Sequence, residues 1–259
     1  VADKKKGHWV DWTVGMLNGA VGDYLRDQQN GLAIDMAFYV NNRPLALTRE
    51  NILRHHPQPS TKLCILVHGL SCTESIWDFH HPLHPDQRTS YGALLQIDHG
   101  YTPFYVRYNT GLAVAENGRR LATLLDELAL SYPTPIKEIT LIGHSMGGLV
   151  LRSACHYADQ HHESWVNKVT RIFYLSTPHD GADLEQLAHA TELALSTVPN
   201  SVTRLVGKVF KLRSQGIKDL RFGTLLEPDV MDAGWDYRIH QHRRAVPWLP
   251  HAKHYLIGG

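Results

Sequence analysis

The 259-residue chain is short of the features that assign a protein quickly. Its three cysteines, Cys64, Cys72 and Cys155, are too few and odd in number for a disulfide framework, so nothing requires an oxidising compartment. No apolar run approaches the ~20 residues a membrane-spanning helix needs. Lys and Arg number 26 against 25 Asp and Glu, a formal net charge of +1, which removes the general electrostatic argument for a nucleic-acid partner. Neither a Gly-x-x-x-x-Gly-Lys phosphate loop nor a Gly-x-Gly-x-x-Gly dinucleotide fingerprint occurs, and no cofactor is expected. The 18 histidines, grouped at His80-His-Pro-Leu-His84 and His161-His162, lack a His-Glu-x-x-His or paired-cysteine pattern, so no metal is expected either. Val1 opens the sequence and no basic-apolar-small leader follows it, which gives the expectation of a cytoplasmic protein.

What is present is a globular composition, 43% hydrophobic and 20% charged. Trp9, Trp12, Met16, Leu17, Ala20, Val21 and Tyr24 follow helical spacing, and Leu32, Ile34, Met36, Phe38 and Val40 alternate ahead of Asn41-Asn42, a hairpin signal completed by Leu45 and Leu47. Residues 1–60 thus read as a helix-and-hairpin extension of the core in 61–259. Lys62–Val67 is a continuous apolar run suited to a buried parallel strand. Helices are predicted near Tyr91–Ile97, along Leu121, Leu124, Leu125 and Leu128, and over Met146–Ala158; strands at Phe104–Arg107, Glu138–Ile142 and Arg171–Leu175. This alternation predicts a parallel sheet covered on both faces. Nearly eighty residues separate Leu175 from a last strand at Tyr255–Ile257, far above the ~2–6 usual for such connections. The segment 182–252 is therefore read as a helical cap insertion. Within it Val202, Leu205, Val206, Val209 and Phe210 share one helical face beside Arg204, Lys208, Lys211 and Arg213. That face either packs over the sheet or meets an acyl chain or lipid surface as a peripheral contact.

The sharpest signal is Gly143-His144-Ser145-Met146-Gly147-Gly148, a Gly-x-Ser-x-Gly between a predicted strand and a predicted helix. A strand that reverses into a helix within a few residues holds Ser145 in a strained conformation with its hydroxyl projecting. The glycines allow the neighbouring backbone to come close. The helix N-terminus offers amides where an oxyanion would form. Leu66-Val-His-Gly-Leu70 ends the first parallel strand and supplies a second turn. Ser145 is thus the candidate nucleophile and the Met146 and Leu70 amides the candidate oxyanion donors. His68, Gly69, Ser71, His144 and His179 are candidate substrate contacts. A plain glycine-rich turn with an incidental serine, and a His68-Gly69 pair that only packs and turns, are the alternatives.

These two motifs resemble the α/β-hydrolase superfamily, in its lipase and esterase branch. Val106-Arg-Tyr-Asn-Thr-Gly111, Glu116-Asn-Gly118 and Leu175-Ser-Thr-Pro-His-Asp-Gly-Ala182 narrow the likeness to the bacterial GPI inositol-deacylase-like (PGAP1-like) group over roughly Leu63–Gly259. The resemblance implies an ester hydrolase acting on a small acyl ester or lipid. It also implies a Ser…acid…His order, with the acid after the strand that follows the cap. An acyltransferase or thioesterase would use the same elbow, and a non-catalytic binding protein would keep the fold.

In this sequence the last strand runs almost to Gly259, which gives the expectation of a C-terminal truncation with the acid and histidine beyond Gly259. Asp229, Asp232 and Asp236, with His240, His242, His251 and His254, have the right order but lie in the cap or before the last strand. The 259-residue chain is accordingly expected to hydrolyse a p-nitrophenyl ester far more slowly than a full-length parent, by about 10⁶-fold where a triad base is missing. Equal turnover by the two contradicts the expectation.

Overall fold

The computed structural model describes residues 2–81, 84–182, 214–227 and 246–258. Helix α1 (Ala2–Asp27) leads into strands β1 (Ala37–Val40) and β2 (Arg43–Pro44), helix α2 (Arg49–His55) and strand β3 (Lys62–Val67). A two-stranded ribbon, β4 (Asp78–His81) and β5 (His84–Ser90), precedes α3 (Tyr91–His99) and β6 (Thr102–Arg107). Then follow α4 (Val114–Ser131), β7 (Glu138–His144), α5 (Met146–Gln160), β8 (Val169–Leu175), α6 (Gln215–Phe222) and β9 (Lys253–Ile257).

Seven strands form one sheet in the order β2-β1-β6-β3-β7-β8-β9. β3, β6, β7, β8 and β9 run parallel, and β1 joins antiparallel to β6. This is the predicted mostly parallel sheet with helices packed against it. β3 shows why its sequence is apolar throughout. Leu63, Ile65 and Val67 enter the core shared with α4 and α5, while Cys64 and Leu66 enter a second cluster with Trp77 on the other face. All five are fully buried. The predicted helices and strands from 62 to 175 are present, with ends displaced by a few residues. Among the described residues no helix is long and apolar enough to cross a membrane.

The N-terminal hairpin is shorter than its alternation predicts. Asn41 and Asn42 both take positive φ, 51° and 64°, and close a two-residue turn between Val40 and Arg43. Leu32 and Ile34, however, are outside the strand because side chains take their amides: Asn30 accepts from Leu32 N–H at 3.0 Å and Asn18 from Ile34 N–H at 2.9 Å. On the return side Pro44 has no N–H to extend the ladder. Helix α1 breaks helical geometry at Val21, beside Gly22, whose carbonyl accepts from Asn109 Nδ2 at 2.9 Å.

The predicted cap helix over 202–211 lies outside the described residues. What is described of the 182–252 stretch includes α6, which the sequence reading did not foresee. It is tied to the core by a carboxylate. Ala113 gives α4 no side-chain cap, and buried Asp219 of α6 supplies one, accepting from Val114 N–H at 2.8 Å and from Gln215 Nε2 at 2.9 Å. Burial pushes the Asp219 carboxyl up from its ordinary value, and these two hydrogen bonds oppose that. Replacing Asp219 with Ala strands the Val114 amide and is expected to cost about 1–2 kcal/mol in denaturant unfolding. Asp219→Asn, which keeps one acceptor oxygen, is expected to cost less; equal losses contradict the capping role.

Candidate active site

The strand order sets the place of the site. In the sheet β3 is flanked by β6 on one side and by β7 on the other; the chain runs from β3 to β6 and then crosses back to β7. The loops leaving the C-terminal ends of β3 and β7 therefore diverge at a topological switch point, where open α/β sheets leave a crevice. The His68–Ser71 turn leaves β3 there, and Ser145 leaves β7.

Ser145 carries the whole reversal from β7 to α5 in one residue, at φ 50° and ψ −122°. Such a conformation costs a non-glycine residue about 1–3 kcal/mol unless its surroundings impose it. Here Ser145 N–H donates to Leu175 O of β8 at 2.8 Å, and Ser145 O accepts from Gly148 N–H at 3.0 Å. A Cβ at Gly147 would overlap the carbonyl oxygens of Val67 and His68, and one at Gly143 would lie 2.6 Å from Gly148 N. Those two glycines let the first turn of α5 seat against the end of β3. The same seating brings the two turns together, since a Cβ at Gly69 would lie 3.1 Å from Ser145 Cβ and 3.0 Å from His144 Nδ1. At the start of α5 the Met146 amide has no acceptor within the helix, and the helix dipole favours negative charge there.

The structure thus brings Gly69, Leu70, His144, Ser145 and Met146 to one place. It puts the other sequence candidates elsewhere. His68 is fully buried, its ring stacked on Tyr108 at 4.5 Å and its Nδ1 2.9 Å from Gly69 O. Burial pushes its pKa down to about 3, so it is a neutral packing group at physiological pH. Ser71 is buried behind the turn at φ 59°, its amide donating to Thr110 Oγ1 at 3.1 Å. His144 is half-buried, and burial lowers its pKa. His179 joins an aromatic group on the β8–β9 side, edge-on to Tyr174 at 4.8 Å and Trp248 at 5.1 Å, with Nδ1 3.2 Å from Arg152 Nη1. Burial first, and then the Arg152 charge, push its pKa down to about 4. Cys72, close behind the turn, is held as a thiol by burial, which pushes it up to about 11.

Among the described residues Ser145 Oγ has no hydrogen-bond partner. His251 and His254, weighed in the sequence as bases, are engaged elsewhere. His251 Nε2 sits 3.1 Å from Val166 O, just ahead of β8, and His254 Nε2 is 3.0 Å from Leu249 O. His254 pairs in register with Ile172, whereas Ser145 follows the His144–Leu175 pair, so about 10 Å of strand separates the two levels. Asp229, Asp232, Asp236, His240 and His242 lie outside the described residues. The sequence reading missed the support that Tyr108, Asn109 and Thr110 give the turn. Polar Asn-Thr-Gly immediately after an apolar strand was the available signal.

A family model described as the PGAP1-like alpha/beta domain matches residues 111–212. It is the family the motifs resemble. The PGAP1-like match spans the Ser145 elbow and α4, α5 and β8. No curated protein matches the chain. Among solved structures, a Bacillus licheniformis lipase, BlEst2 in mature form, is 23% identical with a TM-score of 0.39, covering 61% of this chain and 57% of that one. A lipase-esterase related protein from Clostridium acetobutylicum ATCC 824 is 17% identical with a TM-score of 0.38, covering 64% and 68%. The naproxen esterase (carboxylesterase NP) of Bacillus subtilis is 16% identical with a TM-score of 0.36, covering 66% and 57%. The match thus spans less than two thirds of the BlEst2 chain.

The buried neutral His68 has a consequence for stability. Its folded pKa, about 3, lies below the ordinary value of 6.5 that it regains on unfolding. Between those values the unfolded chain binds a proton the native one excludes, so stability falls as pH drops from about 6.5 towards 3. The slope from this group is up to ~1.4 kcal/mol per pH unit. Thermal melts at pH 7 and pH 5 are expected to show a smaller acid-induced fall for His68→Gln than for the parent. Identical falls contradict this assignment.

Proposed function

We propose that the chain carries the nucleophile and oxyanion donors of a serine hydrolase that cleaves carboxylic esters. The observation that carries the reading is the contact of the Gly69 turn with Ser145 at the head of α5. That contact supports a reading in which the strained serine faces the Leu70 and Met146 amides.

In this reading Ser145 Oγ attacks the ester carbonyl carbon while a base takes its proton. The carbonyl oxygen, now an oxyanion, accepts from Met146 N–H and Leu70 N–H. Collapse of the tetrahedral intermediate breaks the bond to the alcohol oxygen, which takes the proton, and leaves the acyl group on Ser145. Water then attacks the acyl-enzyme as the base takes its proton; collapse of the second tetrahedral intermediate breaks the bond to Ser145 Oγ, which takes that proton, and releases the carboxylic acid. The amides are worth more in the transition state, where negative charge develops on that oxygen, than in the neutral ester. Full burial of His68 and the protonated thiol of Cys72 leave Ser145 as the nucleophile of choice among the groups around the turn. His251 and His254 are engaged at the Val166 and Leu249 carbonyls, so neither is assigned as the base. Acyl esters, lipid esters among them, are the proposed substrates.

The test is covalent labelling by a fluorophosphonate probe and turnover of a p-nitrophenyl ester, both in the protein expressed from its complete natural reading frame. Ser145→Ala is expected to abolish labelling and to lower turnover by about 10⁴–10⁶-fold. Undiminished labelling in that variant overturns the reading.

A further inference from the structure

The turn that offers the Leu70 amide is built from consecutive peptide groups. Within it the Gly69 carbonyl, on the same peptide group as the Leu70 N–H, accepts from Cys72 N–H at 3.3 Å and lies 2.9 Å from His68 Nδ1. The loop after β6 holds the peptide groups on either side. Resting on the serine-hydrolase reading of Ser145, we propose that Thr110 is a positioning residue that holds the Leu70 amide towards the oxyanion by engaging the neighbouring Ser71 amide.

Three contacts from other elements add to these. Ser71 N–H donates to Thr110 Oγ1 at 3.1 Å, in a wholly buried position. At the other end of the turn Tyr108 Oη donates to His68 O at 2.8 Å, with its ring stacked on the His68 imidazole. From the opposite side α1 presses on Ser71 at Gly19, where a Cβ would overlap Ser71 Oγ. One loop, through two side chains two residues apart, therefore grips the turn at both ends, and α1 closes it from outside. With its N–H committed to Thr110, Ser71 cannot turn that amide to the crevice, and the Leu70 N–H is left for the substrate oxygen.

The loop making the grip is itself held from several directions, so it can transmit position. Asn109 Nδ2 donates to Gly22 O of α1 at 2.9 Å, and Asn109 Oδ1 accepts from Gly111 N–H at 3.0 Å. Asn117 Nδ2 of α4 donates to Asn109 O at 2.9 Å, and Gly216 N–H of α6 donates to Gly111 O at 3.1 Å. Thr110 has no access to solvent, being 1% exposed. A buried hydroxyl is costly unless hydrogen-bonded, and valine would fill the same space without that cost. The Ser71 amide is the observed use of the hydroxyl.

The experiment compares Thr110→Val and Thr110→Ser in the full-length protein, with fluorophosphonate labelling and p-nitrophenyl ester kinetics. Thr110→Val is expected to lower kcat about 10–100-fold, with KM within about twofold, because oxyanion contacts act in the transition state. Thr110→Ser, which keeps Oγ, is expected to restore kcat. A Thr110→Val kcat equal to that of the parent, a loss carried mainly by KM, or failure of the serine variant to rescue overturns the proposal. Should Thr110→Val not fold, Tyr108→Phe bears the same test, since it removes the hydrogen bond to His68 O and keeps the stacked ring: unchanged kcat overturns, a kcat loss at constant KM supports. If the parent itself is not labelled, the serine-hydrolase reading fails and the positioning role with it, an outcome distinct from labelled parent and unaffected variants.

Discussion

The close approach of the first turn of α5 to the end of β3 is the constraint on which the rest of the site depends. It is possible because Gly147 presents only hydrogen to the Val67 and His68 carbonyls and because Gly143 leaves room for Gly148. A methyl group at Gly147 would lift the helix off the sheet. Ser145 would then lose the Leu175 contact that offsets its backbone strain, and the Gly69 turn would lose the surface on which it rests. Strain is tolerable in this setting because packed sheet and helix over-determine the conformation of one residue between them.

Around that contact the fold behaves as a set of layers pinned by a few polar links. Hydrophobic burial on the two faces of β3 supplies the bulk of the cohesion. The links decide how loops at the C-terminal end of the sheet are oriented. Asp219 joins α6 to the start of α4, Ser214 Oγ donates to Gly19 O of α1 at 2.8 Å, and the Tyr108–Gly111 loop touches α1, α6, the β3 turn and Asn117 of α4. Elements distant in sequence thus meet at the switch point, where single hydrogen bonds between buried groups gain in strength and where losing one partner is costly. The N-terminal helix is part of this arrangement, and its contacts with Ser71 and Asn109 bring it to the support of the β3 turn.

How much of this the sequence discloses follows from the range of each interaction. β3, β6, α4, β7, α5 and β8 are legible because burial on one or two faces writes a period or an apolar run into consecutive residues. The Ser145 elbow and the Gly69-Leu70 turn are legible because a sharp reversal and a close backbone approach demand glycine at fixed spacing. The β4–β5 ribbon, α2 and α6 are too short to write a period into the sequence, and the helices' local signals are only their caps, Thr48 for α2 and Ser214 and Gly223 for α6. The alternation at Leu32 and Ile34 misleads because Asn30 and Asn18 side chains replace the ladder partners. Among the site candidates, the sequence offers His68, Ser71 and His179 as substrate contacts on the strength of position alone. Their partners, Tyr108, Thr110 and Arg152, stand 40, 39 and 27 residues away and cannot be read from spacing.

In the proposed reaction one substrate oxygen sits between the Leu70 and Met146 amides while its carbon is bonded to Ser145. The decisive measurement is a crystal structure of the full-length protein after reaction with a phosphonate ester. The expected complex has phosphorus bonded to Ser145 Oγ and one phosphonyl oxygen about 2.7–3.1 Å from both the Leu70 and Met146 nitrogens. A phosphonylated Ser145 whose oxygens approach neither amide, or phosphorus on another residue, would contradict it.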